Sequence, residues 1–427
     1  MTGRPSKGQY PTEDTIDPAL PGGFGRTGSR IVTGESDQRS DRPWGTRLAS
    51  VALAVSVLAR LVWTYTVTNA DHFVDLHVYV GGGAVIGSGG QLYEYAYSGP
   101  TAIPLPFTYP PFAAVVFYPL HFVPFWLVAL GWLLGVVAAL YGVIRVSQRL
   151  LGGGERWIAT AWTAIGIWLG PVRSTLDYGQ INVVLCLAVL CAVYSRRWWL
   201  SGLLVGLAAG IKLTPAISGL YFVGVRRFGA ALWSATVFAL TIAVSALAVG
   251  DEARRYFTEL VFAPHRMGAV STPFNQSLRG GIGVLAGSAD GHGMPLVVAV
   301  VVAAVLALAA WRAVWIGGGR EDRLGAILVI ELLGLLVSPI SWMHHWVWSI
   351  PLIVWLAHGP RREQTGARVL TGSWLALTLC CGPWLLVLAE PGESAPWYWA
   401  WIGSIYPAMT LMTFGWLAWG RATAAAR

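Results

Sequence analysis

Thirteen apolar stretches, at about 47–67, 109–122, 124–146, 156–173, 178–195, 198–212, 214–225, 228–249, 294–316, 323–338, 342–358, 367–389 and 396–419, follow one another along the chain, most of them near or above the roughly 20 residues that cross hydrocarbon and a few, such as 109–122 and 214–225, shorter. No water-soluble core accommodates that pattern. Of 427 residues, 55% are hydrophobic and only 12% are charged, and the mean hydropathy is +0.57. The expected fold class is all-α: a polytopic membrane protein with about eleven to thirteen transmembrane or re-entrant helices.

A net charge of +8 suggests nucleic acid at first sight. The arginines instead sit in short clusters between apolar runs, as the positive-inside rule predicts for cytoplasmic loops, and no nucleic-acid partner is expected. Arg145/Arg149/Arg156, Arg196/Arg197, Arg226/Arg227, Arg312/Arg320/Arg323, Arg361/Arg362/Arg368 and Arg421/Arg427 are thereby assigned to the cytoplasm. Residues 1–46 lack apolar periodicity and read as a disordered cytoplasmic tail. The membrane domain is expected over 47–420, with periplasmic loops at 68–108 and 250–293, and a short cytoplasmic tail over 421–427. Cys186, Cys191, Cys380 and Cys381 all lie in apolar stretches and read as small core residues, with no zinc-type spacing.

Two stretches, 109–146 and 198–225, are long enough to cross twice where this assignment has them crossing once net. Both carry breaks, at Pro110-Pro111, Pro119 and Pro124 in one and at Thr214-Pro215 in the other. Half-spanning or re-entrant helices fit, and so do ordinary kinked spans; broken helices at membrane depth are tolerated where they line a cavity.

The opposite face receives the polar residues. They are Asp71, His72, Asp75, His77 and Glu94; the turn Asp177-Tyr-Gly-Gln-Ile-Asn182; His265, Arg266, Asn275-Gln-Ser-Leu-Arg279 and Asp290; and Ser338-Pro-Ile-Ser-Trp-Met-His-His345. Gathered at the ends of apolar spans, they outline a hydrophilic pocket in which Asp75 is the first candidate for chemistry. Lys212 is the only lysine beyond the N-terminal tail. It either snorkels to an interface or holds a phosphate or diphosphate. His344 and His345 are likewise either satisfied core histidines or working groups. The run Gly81-Gly-Gly-Ala-Val-Ile-Gly87 fits neither a Walker loop nor a dinucleotide fingerprint, and close helix packing accounts for it. Asn275-Gln-Ser matches a glycosylation sequon but reads better as a polar loop that hydrogen-bonds a ligand. Trp397, Tyr398, Trp399 and Trp401 read as an interfacial aromatic belt.

Taken in order, Asp75-Leu-His-Val-Tyr79, Phe107-Thr-Tyr-Pro-Pro-Phe112, Gly179-Gln-Ile-Asn182, Lys212-Leu-Thr-Pro215, Asn275-Gln-Ser-Leu278 and Ser338-Pro-Ile-Ser-Trp342 with His344-His345 resemble the motif series of glycosyltransferase family eighty-seven, over about residues 50–420. These are actinobacterial integral-membrane α-(1→2)-mannosyltransferases of the C-type superfamily. They take mannose from polyprenyl-phosphate mannose and act on phosphatidylinositol mannosides, lipomannan or lipoarabinomannan. The resemblance implies a C-type fold in the plasma membrane with its active site on the periplasmic side. It makes Asp75 the base that takes the acceptor's proton while the β-linked lipid phosphate leaves, so that one inversion gives an α linkage. Lys212, Arg279, His344 and His345 are the cations available to the donor phosphate. His77, Tyr79, Tyr109, Gln180, Asn182, Asn275 and Gln276 are the candidates for holding acceptor or sugar. No cofactor or metal is expected, and no DxD motif is present. The competing class is a lipid or sugar transporter or flippase, which also uses broken helices and buried charge; the related halves that transporters usually show are missing.

Overall fold

The computed structural model describes residues 43–67, 72–89, 91–99, 104–317, 322–380 and 398–420. The tail over 1–42, Asp71, Cys381, Trp397 and the tail over 421–427 lie outside these residues, as does the side chain of Trp399.

Among the described residues four helices are long and apolar enough to cross a bilayer: α1 (Pro43–Thr66), α4 (Phe125–Leu150), α10 (Phe228–Val249) and α13 (Met294–Gly317). Along α13, Val297, Val301, Val305 and Leu308 are each more than half exposed. A contiguous apolar face of that kind is stable against lipid rather than water. A fifth span exists if α6 (Gly170–Tyr178) and α7 (Asn182–Tyr194) count as one, although they are bent by 120°. The described residues thus hold four or five spans by length and composition, where eleven to thirteen transmembrane or re-entrant helices are expected. The remaining apolar sequence is divided among shorter helices: α3 (Pro111–Phe117), α5 (Arg156–Gly166), α8 (Trp198–Ile211), α9 (Ser218–Gly224), α14 (Arg323–Val337), α15 (Ser349–His358), α16 (Thr365–Cys380), α17 (Tyr398–Ile402) and α18 (Ile405–Trp419). Regions expected as loops also hold helices: α2 (Val74–Ser88), α11 (Asp251–Thr258) and α12 (Leu278–Ala286). Among the described residues strand pairing is limited to β1 (Ala96–Tyr97) against β2 (Leu105–Pro106), antiparallel with Ala96 opposite Pro106.

The breaks have local causes. Gly179 ends α6 at φ 74, where a residue with a Cβ is strained, and a Cβ there would stand 2.5 Å from that of Leu76. Pro171 sits in the first turn of α6, where its missing N–H costs nothing, so the run expected over 156–173 divides in two. Asp322 caps α14, its carboxylate accepting the Gly325 N–H at 2.9 Å.

The stretch 198–225 departs from the single net crossing expected of it. α8 runs away from Arg197, the chain turns at Lys212 and the short 3-10 helix Thr214–Ile217, and α9 runs back to Arg227. There the guanidinium donates to Ser201 Oγ at 2.9 Å, close to where α8 began. Both arginine pairs therefore share one end of the bundle. α8 is held against α10 by Gly202, Gly206 and Gly210, where added Cβ atoms would fall 2.8 Å from Ala230 O, 2.6 Å from Val237 Cβ and 2.5 Å from Thr241 Oγ1. Small residues four apart let two helices touch through their backbones. The run beginning at Gly81 also serves packing, as expected: a Cβ on Gly82 would meet the Phe107 ring at 2.3 Å. Cys186 is buried, Cys191 is partly so, and Cys380 is exposed, contrary to the core reading given to all four cysteines. Tyr398 and Trp401 are exposed.

Candidate active site

Asp75 enters the structure in the first turn of a helix rather than in a loop. Phe73 immediately precedes α2 in the left-handed region, at φ 52, which is unusual for an aromatic residue. Its N–H donates to the carbonyl of Asp177 at 2.8 Å, and its buried ring packs edge-on against Phe125. That strained turn points α2 so that Asp75 and Tyr79, one turn apart on the same face, look toward the α6–α7 bend.

Gln180 is the hub of the bend. The Tyr79 and Tyr109 hydroxyls lie 2.7 Å apart and reach Gln180 Oε1 at 3.1 and 3.0 Å. Lys212 extends from the end of α8 into the same cluster, donating to Asn182 Oδ1 at 2.9 Å and to Gln180 Oε1 at 3.4 Å, with its ammonium 5.2 Å above the Tyr109 ring. The Asp75 carboxylate acts electrostatically on Lys212, Tyr79 and Tyr109. The Lys212 charge in turn bears on His344 and His345, whose rings lie 4.6 Å apart. An ammonium has three protons; two are directed at amide oxygens, which leaves one for an anion. One carboxylate, one ammonium, two hydroxyls and two imidazoles thus meet where five segments distant in sequence converge.

Other candidates are placed elsewhere. Asn275 and Gln276 are completely buried and hold backbone. Asn275 Nδ2 donates to Val270 O and Pro339 O and its Oδ1 accepts from Ser341 N, while Gln276 Oε1 accepts from Tyr406 N. They fix the Ser338–Ser341 loop that leads to the histidines. Arg279 donates to Asp290 O at 2.8 Å and bonds the His292 ring. His77 is sandwiched between Tyr97 and Phe125, at ring separations of 4.6 and 3.6 Å. Burial, reinforced by His72, holds its imidazole below the usual value.

Sequence reasoning missed a second line of support. Arg60 of α1, completely buried, forms an ion pair with Asp177. It is the only charged residue between Arg47 and Asp71, and an isolated charge in an apolar span is a signal available from sequence. Removing one partner of such a pair strands the other, which is strongly destabilising. Trp132 Nε1 donates to Gln180 O at 3.4 Å, and the Tyr93 hydroxyl donates to Tyr109 O at 2.9 Å. A cavity of about 220 Å³ shares Asn182 and His345 with the cluster and continues between Leu185, Leu335 and Trp348; Glu331, which accepts from the Ser218 hydroxyl, lies in its wall. Among the described residues no three His, Cys, Asp or Glu side chains converge as metal ligands would.

A lipid-facing helical body with a charged, hydroxyl-rich cluster at its helix breaks defines a membrane protein built around a polar ligand. The chain belongs to glycosyltransferase family 87, whose profile matches residues 107–339. It is 59% identical over 380 residues to a polyprenol-phosphate-mannose-dependent alpha-(1-2)-phosphatidylinositol pentamannoside mannosyltransferase of Mycolicibacterium smegmatis, covering 88% of this chain and 92% of that one. It is 56% identical over 380 residues to a protein of the same description from Mycobacterium tuberculosis, covering 87% of each. A polyprenol-phosphate-mannose-dependent alpha-(1-2)-phosphatidylinositol mannoside mannosyltransferase of Mycolicibacterium smegmatis is 34% identical over 349 residues, covering 75% of this chain and 79% of that one. No solved structure matches.

Proposed function

We propose that the chain transfers mannose from polyprenyl-phosphate mannose to phosphatidylinositol pentamannoside, forming an α-(1→2) linkage with inversion at the periplasmic face of the plasma membrane. The observation that carries this reading is the Lys212 ammonium, fixed by Asn182 and Gln180 and within electrostatic reach of Asp75. In the proposed reaction the Asp75 carboxylate takes the proton of the attacking acceptor hydroxyl while the phosphate oxygen departs toward Lys212, with His344 and His345 beside it. Tyr79, Tyr109, Gln180 and Asn182 orient the sugar. The adjoining cavity, apolar with a polar mouth, suits the first prenyl units of the donor. Asn275 and Gln276 support the site through the loop before His344, and Arg279 meets the ligand only at its periphery. The choice of pentamannoside is supported by the relatives, which are 59% and 56% identical where the description specifies it and 34% where it does not. The fold proposed is the C-type glycosyltransferase fold with eleven to thirteen transmembrane or re-entrant helices, flanked by cytoplasmic tails at 1–46 and 421–427.

Purified protein, incubated in excess chelator with each donor and a panel of phosphatidylinositol mannosides, should elongate the pentamannoside from the lipid-linked donor and leave GDP-mannose untouched. Methylation analysis should find a new 2-linked residue; turnover of GDP-mannose, strict metal dependence or a (1→6) product would overturn the reading. Sidedness is tested in a cysteine-free background. A cysteine at the exposed Ala289 should react with an impermeant maleimide in intact cells and one at the exposed Gln364 should not; the reverse pattern would move the site to the cytoplasm.

A further inference from the structure

At the far end of the bundle from Lys212 lies a second cavity, of about 280 Å³, lined by Ser195, Arg196, Tyr221, Arg227, Trp315 and Arg323. It is well separated from the first site. α7 connects them, Asn182 at one end and Ser195 just beyond the other, and thirteen residues of helix span roughly 20 Å. The out-and-back course of α8 and α9 brings Arg196 and Arg227 together here, and α14 contributes Arg323 from its first residue.

Three guanidinium groups around one small cavity repel each other, and among the described residues none of them forms an ion pair. Arg227 donates to Ser201 Oγ and lies 5.4 Å over the Phe222 ring; Arg323 reaches Val193 O at 3.5 Å. Arg227 and Arg323 act on one another and both act on the Tyr221 hydroxyl. Asp322, the residue before Arg323, is engaged by the Gly325 N–H and by Trp355 Nε1 at 3.0 Å. The Tyr221 hydroxyl is completely buried and, among the described residues, has no hydrogen-bond partner. A buried hydroxyl without a partner is costly, and its place among three arginines calls for an acceptor with several oxygens and negative charge.

We propose that this cavity is an anion site that binds a phosphate group, remote from the transfer site and separate from it in function. Arginine forks match phosphate oxygens, and basic pockets between helix ends at a membrane surface take anionic lipid headgroups. The same chemistry is offered by a phospholipid headgroup and by free phosphate.

Full-length protein in phosphatidylcholine nanodiscs would be titrated with inorganic phosphate against chloride at matched ionic strength, and separately reconstituted with graded phosphatidylinositol, following the thermal unfolding midpoint. Ligand that binds the folded state should raise the midpoint by about 2 °C or more at saturation. Arg323→Gln and the nearly isosteric Tyr221→Phe should each weaken the response at least about fivefold, which corresponds to about 1 kcal/mol. A response to phosphatidylinositol alone assigns the site to a headgroup, and a response to both shows that phosphate itself suffices. No response in either series, or a response unaltered in Tyr221→Phe protein that folds normally, would overturn the proposal.

Discussion

Lys212 Nζ donates to Asn182 Oδ1 at 2.9 Å across thirty residues of sequence, joining the end of α8 to the beginning of α7. The ammonium is thereby held beside Asp75 before any ligand arrives, so little reorganisation remains for the transfer step.

Replacing Asp75 with asparagine keeps the shape of the side chain and removes its capacity to take a proton. Turnover should fall by about 10²–10⁴-fold with the unfolding midpoint nearly unchanged. Activity within about tenfold of the parent, a barrier change of about 1.4 kcal/mol, would take Asp75 out of the role of base.

Lys212→Met retains the apolar stem and deletes the charge. Its effect should appear chiefly in the donor: a higher donor KM and a lower kcat, with the acceptor KM little altered. Steady-state kinetics with each substrate varied reads this directly, and an unchanged donor response would return Lys212 to a snorkelling role.

Gly179→Ala places a methyl group 2.5 Å from Leu76 Cβ at a residue with φ 74. The strain should cost about 1–3 kcal/mol of stability and push α2, with Asp75, away from Gln180. Thermal unfolding and turnover should both decline; full activity would mean that the spacing between α2 and the bend is not critical.

His77 is kept below the ordinary imidazole value of 6.5 by burial between two aromatic rings. Protonation is therefore easier in the unfolded chain, so the stability due to neutral His77 is complete above about pH 6.5 and diminishes as pH drops through that value. His72, shifted in the same direction by burial, adds to the trend. Unfolding midpoints measured from pH 7.5 to pH 5 should fall, and His77→Phe, which keeps a ring in the stack, should flatten part of that slope; an identical slope would exclude His77 as a contributor.

Membrane class was legible because hydropathy over twenty residues is a strong signal. The exact breaks were less legible: the run 156–173 divides between α5, which ends at Gly166, and α6, which carries Pro171 in its first turn, and in 342–358 Met343–Trp348 is a 3-10 turn before α15. Asp75, Lys212, Gln180 and Asn182 stood out as polar residues at the ends of apolar spans, and the structure brings them together. Asn275 and Gln276 carried the same signal for another reason: buried amides that secure a loop look, in sequence, like amides that hold a ligand. Arg60 was overlooked because its partner, Asp177, is 117 residues away.

The glycine ladder on α8 works as a ruler. With Gly202, Gly206 and Gly210 seated on α10, the helix cannot slip by one residue without driving a side chain into its neighbour's backbone. A single residue inserted between Gly202 and Gly210 would turn everything beyond it by about 100° and lift it by about 1.5 Å. The distance from Lys212 to its amide partners is therefore dictated by contacts that begin ten residues earlier in the sequence.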